Sequence, residues 1–193
     1  MINDIYFDSY KEALKKRVKQ SRYVHSIGVM QVSIDLAKKY GLDEKRVGLA
    51  ALLHDYGKAL SDEQLNEYLI LNGLQIDEYI RKDMQLAHGI IGADMVTKDF
   101  CISDQEILDS IRYHTYGRSG MSMMEKIIYI ADYIEPSRSY EGVEQLRKTV
   151  YEDLDRGIIL SIENTVKYLE GRGFSIHPNS ILLRNELLSN LMG

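Results

Sequence analysis

Cysteine occurs once in the 193 residues, at Cys101, so neither an internal disulfide nor a cysteine-built zinc site is available. That usage fits a reducing compartment, and a cytoplasmic location is expected. Only 2 prolines occur and tryptophan is absent; with so few breakers, long helices run undisturbed. Positive charge is also in deficit: 24 Lys and Arg stand against 29 Asp and Glu, a formal net charge of −5. This balance argues against a nucleic-acid partner, because wrapping duplex nucleic acid needs a positive surface. Long apolar runs are missing as well. The longest, at residues 47–53 and 127–131, fall far short of a membrane span, so no membrane partner is expected. Residues 1–6 carry no basic stretch leading into an apolar one, and no secretory leader is expected.

Hydrophobic residues make up 45% of the chain and charged ones 27%, the balance of a globular domain of ordinary size rather than a disordered segment. The apolar pattern is helical almost throughout. Tyr10, Ala13, Leu14 and Val18 recur at three- and four-residue spacing. A second segment from Val24 to Ala37 ends at Gly41, which suits the left-handed position after a helix. Asp43 starts a third, carrying Val47 to Leu53. Capping boxes are expected at Ser61 with Gln64, Ser103 with Glu106, and Ser122 with Glu125. Further helices are expected over residues 86–99, 143–169 (broken near Gly157) and 178–191, with an irregular break at Gly171-Arg172-Gly173. No alternating strand pattern, repeat or low-complexity linker is visible. The reading is an all-α, single compact domain of eight to ten helices, its core at about residues 20–140 and a helical cap at about 141–193.

Five histidines are present: His25, His54, His88, His114 and His177. Their number is ordinary, and each taken singly reads as a satisfied core or boundary group. Their placement is less ordinary. His54-Asp55 closes an apolar helix, His25 sits mid-helix among apolar neighbours, and Asp132 lies inside the apolar run 127–134. A carboxylate there must be paired, hydrogen-bonded or metal-bound, because an unpaired buried charge is costly. Together these residues supply the nitrogen and oxygen ligands that divalent iron, manganese or zinc accept.

The order His25, His54-Asp55, His88, His114, Asp132 resembles the HD-domain phosphohydrolases. The segments 53–58 (LHDYGK), 126–138 (KIIYIADYIEPSR) and 173–178 (GFSIHP) narrow the resemblance to the YqeK-type HD family. It covers about residues 10–190. It implies an all-α HD fold and metal-dependent symmetrical hydrolysis of diadenosine tetraphosphate to two ADP, with one or two divalent transition-metal ions. Iron is the expected metal, manganese or zinc the alternatives, and a homodimer is allowed. Carried over, His25, His54, Asp55 and Asp132 are metal ligands, and Asp55, His88 and His114 are catalytic. His88 and His114 either bind a second metal bridged by Asp55 or contact the substrate phosphates.

Further substrate contacts are expected from Lys58, three residues after Asp55, and from Arg138, just past the Asp132 helix, where a guanidinium fork suits phosphate. The alternatives are a solvated lysine and an ion pair of Arg138 with Glu135 or Glu141. The stretch from Arg172 to His177 is similar to that of the family, which implies an adenine or ribose contact, so Arg172 and His177 join the candidates; the Pro after His177 biases it to extended backbone. Basic residues Lys11, Lys15, Lys16, Arg17 and Lys19 read as a solvated helix face, whereas Arg22 lies three residues before His25 and so on a similar face. Tyr56 and Tyr133, next to the two aspartates, are candidates to flank the site. Cys101 is expected to be a small buried or boundary residue without catalytic role. Competing functions are HD phosphohydrolysis of another nucleotide (mono-, di- or triphosphate, or cyclic) and a nucleotide sensor without turnover; a DNA-binding helical protein is disfavoured by the charge.

Overall fold

The computed structural model describes residues 5–192. Residues 1–4, part of the stretch on which the leader expectation rests, lie outside them. Eleven α-helices and no strand occur among the described residues. They are α1 (Ile5–Arg17), α2 (Gln20–Tyr40), α3 (Glu44–Leu53), α4 (Asp62–Leu71), α5 (Glu78–Lys82), α6 (His88–Phe100), α7 (Gln105–Tyr113), α8 (Met123–Ile134), α9 (Val143–Glu152), α10 (Leu154–Glu170) and α11 (Pro178–Met192). Single 3₁₀ turns at Tyr56–Ala59 and Met84–Ala87 join α3 to α4 and α5 to α6. The all-α expectation holds, with one helix more than the upper end of the expected eight to ten. No helix among the described residues is long and apolar enough to cross a membrane.

The helix ends are set by local chemistry. Gly41 takes φ 69° and its N–H closes α2 on Ala37 and Lys38, a conformation that costs glycine little. Ser61 and Ser122 form the expected capping boxes of α4 and α8. The third expected box is corrected: Asp104, not Ser103, caps α7, accepting the N–H groups of Glu106 and Ile107. A carboxylate competes well for that position because it also meets the positive end of the helix dipole. The break between α9 and α10 is likewise corrected. It falls at Asp153, which caps α10 by accepting from Arg156. Gly157 instead lies inside α10, where a Cβ would come within 2.4 Å of Val150. It serves close helix crossing, not a break. Cys101 is exposed, not buried, and holds φ 54° at the end of α6.

One apolar core runs from Phe7 in α1 to Leu187 in α11. Helices α2, α3, α7 and α8 pack on one another at its centre, and α10 packs on α8, α9 and α11. Helix α6 packs on α7 and on the 3₁₀ turn Tyr56–Ala59. That approach is nearly backbone to backbone: a Cβ on Gly57 would lie 2.4 Å from the carbonyl oxygen of His88, and one on Gly89 would lie 2.6 Å from that of Arg112. Glycine at these points brings the start of α6 against the turn that follows Asp55 and against the end of α7.

Because backbone cannot yield as a side-chain tip can, Gly57→Ala is expected to cost about 1–3 kcal/mol through overpacking. Thermal unfolding checks this, with a midpoint lowered by roughly 2–12 °C for a chain of this size.

Candidate metal centre

Five elements deliver their functional side chains to one buried point. His25 comes from the second turn of α2, His54 and Asp55 from the two residues after α3, His88 from the first residue of α6, His114 from the residue after α7, and Asp132 from α8. Asp55 lies at the middle, its side chain 4% exposed. Its Oδ2 lies 3.4 Å from His54 Nε2 and 3.7 Å from His25 Nε2. Its Oδ1 lies 3.2 Å from His88 Nε2 and 3.7 Å from His114 Nε2. Asp132 closes the first side, with Oδ1 3.0 Å from His25 Nε2.

The other ring nitrogens settle which atom is free to ligate. Nδ1 of His54 bonds the Ala51 carbonyl at 2.6 Å, and Nδ1 of His114 that of Ile111 at 2.7 Å. Nδ1 of His88 bonds the Gln85 carbonyl, and Nδ1 of His25 meets Glu135 Oε1 at 3.0 Å. A carbonyl or carboxylate accepts only, so each Nδ1 carries the proton and, in the neutral ring, each Nε2 presents a lone pair. Those lone pairs face one carboxylate, and the Nε2 atoms of His88 and His114 lie 3.0 Å apart. Nε2 of His25 and of His54 are buried with no hydrogen-bond partner. Electron-rich atoms turned on one another in a buried site fit a cation between them. The ligand atoms group as His25, His54 and Asp55; as His54, His114 and Asp132; and as Asp55, His88 and His114, each set within 4.8 Å.

Charge is arranged to suit. Burial alone would raise the Asp55 carboxyl, but the charge of His54 and hydrogen bonds from His114, His54 and His88 hold it well below the usual carboxylate range, a role that a cation would take over where the Nε2 atoms present lone pairs. Burial also opposes ionisation of Asp132, and His25, His54 and Arg138 outweigh it and lower that carboxyl. Burial pushes His88 down, which favours the neutral, ligating ring; burial also lowers His25, but the Asp132 and Glu135 carboxylates outweigh it and raise that imidazole, so a cation there would displace its second proton.

Three cations stand beside the cluster. Arg22 donates from Nη1 to Asp55 Oδ2 at 2.8 Å. Arg138 donates from Nε to the Asp132 carbonyl at 2.7 Å, and its Nη2 bonds the Asp132 carboxylate. Its main partner is therefore Asp132, with Glu135 at 3.9 Å, rather than Glu135 or Glu141 alone. Lys58 is no solvated lysine: it is half-buried, 3.4 Å from His88 Nδ1, and burial lowers its pKa.

Other candidates are not brought in. His177 stacks on Tyr116 at 4.2 Å, bonds Asp77 at 2.9 Å through Nε2, and takes the Asn179 N–H on Nδ1. Both its nitrogens are committed, and it anchors the start of α11. Arg172 is exposed, with its guanidinium over the Tyr168 ring. The Tyr56 hydroxyl bonds Asp99 under Arg17, and Tyr133 packs on Tyr129; neither joins the cluster. Arg17 is tied to the Tyr56 carbonyl rather than solvated. A cavity of about 480 Å³, lined by Asp77, Asp94, Arg112, Tyr113 and Tyr116, contains none of the ligand residues. It opens on Ile90, Asp94 and Thr97 of α6, the face turned away from His88. Sequence reasoning missed Thr115, whose hydroxyl lies 3.4 Å and 3.3 Å from the Nε2 atoms of His88 and His114. It also saw Glu135 only as a partner for Arg138.

Comparison with known proteins agrees with this geometry. Residues 22–137 match the family model described as HD domain. A symmetrical bis(5'-nucleosyl)-tetraphosphatase from Bacillus subtilis is 38% identical over 176 residues, covering 91% of this chain and 94% of that one. The protein of the same name from Halalkalibacterium halodurans is 40% identical over 177 residues, covering 92% and 94%. A crystal structure from Clostridium acetobutylicum, of a protein named as a predicted HD superfamily hydrolase involved in NAD metabolism, matches with a TM-score of 0.91 at 38% identity. It covers 95% of this chain and 97% of that one.

Since both oxygens of Asp55 face ligand nitrogens, Asp55→Ala is expected to strip the protein of divalent metal and to leave the helical circular dichroism intact. His54→Ala is expected to act the same way. Metal analysis of the purified variants checks both; stoichiometric metal in either would overturn the centre.

Proposed function

This chain belongs to the HD domain family, and from that premise we propose that it is a divalent-metal-dependent hydrolase that cuts diadenosine tetraphosphate symmetrically into two ADP. The observation that carries the metal chemistry is the set of four Nε2 lone pairs turned on the two oxygens of Asp55. The symmetrical tetraphosphatases named above support the substrate, being similar over more than nine-tenths of the chain.

We assign His25, His54, Asp55 and Asp132 to one ion, and Asp55, His88 and His114 to a second, with Asp55 shared. Imidazole and carboxylate ligands suit iron, manganese and zinc; iron is our reading, following the family resemblance. When bound, such an ion polarises phosphoryl oxygens and lowers the pKa of an adjacent water. The chain's own residues supply the rest. Nδ1 hydrogen bonds hold the imidazoles in one tautomer and orientation. Lys58, Arg22 and Arg138 border the cluster on different elements, and their charge offsets that of the polyphosphate as negative charge builds on the leaving group. The arginines then exchange carboxylate for phosphate partners. One water is consumed: its oxygen bonds to the second phosphorus from one adenosine, and the bond from that phosphorus to the oxygen it shares with the third phosphorus breaks. The other ADP leaves with that oxygen, and a proton passes to solvent. The region at about residues 20–140 is the catalytic core in this reading, with 141–193 as its helical cap.

Anaerobically purified protein, chelated and then restored with iron, tests this. Chromatography is expected to show ADP as the single product, no turnover after chelation, and recovery with metal. AMP plus ATP would overturn the symmetrical cut, and turnover of another nucleotide alone would overturn the substrate. Arg138→Ala removes charge-assisted contacts of about 1.5–3 kcal/mol. A rise in KM of roughly 10- to 100-fold is expected in steady-state kinetics.

A further inference from the structure

Three of the four clustered histidines share one device. His54, His88 and His114 each turn Nδ1 back on the carbonyl three residues earlier, at Ala51, Gln85 and Ile111. They can do so because they stand at helix ends, where carbonyls or their geometry are released from the helical ladder. His25 has no such carbonyl. It lies inside α2, in the second turn of a helix running from Gln20 to Tyr40, where neighbouring carbonyls are taken by the ladder. Its Nδ1 meets Glu135 instead, at 3.0 Å.

Glu135 is held for that task. It is 1% exposed, and a carboxylate so buried needs partners. Ser137 donates its N–H to Oε2 at 2.7 Å and its hydroxyl to Oε1. Gly28, one helical turn beyond His25, leaves the space that the carboxylate fills: a Cβ there would lie 2.5 Å from Oε2. We infer that Glu135 is a positioning residue, which keeps the His25 proton on Nδ1 and strengthens Nε2 as a metal donor, and that Gly28 is the notch admitting it. This rests on the metal-centre reading above and not on the identity of the nucleotide. A carboxylate behind a ligating histidine raises the ligand's basicity more than a carbonyl does, and losing such a partner costs 10–100-fold in metal affinity as a general rule.

The test uses the full chain and Mn²⁺ as probe. Glu135→Gln keeps an acceptor for Nδ1 but removes the charge. Gly28→Ala leaves Glu135 in the sequence but pushes its carboxylate aside. Both are expected to weaken Mn²⁺ binding about 10-fold, measured by the paramagnetic resonance of free Mn²⁺, with helical circular dichroism unchanged. Nitrogen-15 NMR of metal-free wild type, at a pH high enough for the His25 ring to be neutral, is expected to show that ring protonated at Nδ1, and Glu135→Ala to show a mixture of tautomers. Unchanged Mn²⁺ affinity in both variants, including a fall in melting temperature alone, would overturn the inference while leaving the centre standing. A neutral His25 protonated at Nε2 alone in the wild type would overturn it too. Failure of the wild type to bind Mn²⁺, iron or zinc would bring down the metal centre and this inference with it.

Discussion

The carboxylate of Asp55 is the constraint to which the rest of the fold answers. It is buried, it stays ionised, and both its oxygens face imidazole nitrogens. A charge in that setting is tolerable only if the surroundings deliver compensating groups from several directions. The arrangement of α2, α3, α6, α7 and α8 does this, each contributing a side chain from a different side. The close approaches at Gly57 and Gly89 have the same consequence, since they bring His88 and His114 to the second oxygen of the carboxylate.

Helix ends are the economical places to put such ligands. A histidine there satisfies its inner nitrogen on a nearby carbonyl and aims its outer nitrogen away from the helix. Orientation and tautomer then follow from local backbone, without a dedicated partner. His25 is the exception, and its burial within a continuous helix transfers the task to a residue 110 positions away. A buried glutamate, a clasping serine and a glycine notch all follow from that one displacement.

Much of this was legible beforehand. The apolar periodicity marked the helices, Gly41, Ser61 and Ser122 marked ends that stand where expected, and the spaced His and Asp residues marked a cluster. The misses share a cause. Ser103 and Asp104 are both good caps, and only backbone direction chooses Asp104. Gly157 looks like a breaker until Val150 is found packed against it. The partners of His177 and Arg172, namely Tyr116, Asp77 and Tyr168, are likewise out of reach of a linear reading.

What the sequence determined by itself was the inventory: helices from hydrophobic period, caps from short polar side chains, and four histidines and two aspartates in a telling order. These are properties of residues and their near neighbours, so a linear reading reaches them. What only the tertiary structure decided was which atoms face which. The division of Asp55 between two pairs of histidines, the seating of Arg22 on Asp55 and Arg138 on Asp132, and the meeting of His25 with Glu135 all depend on helix crossings. Those crossings are fixed by packing of side chains far apart in the chain, and local pattern carries no record of them.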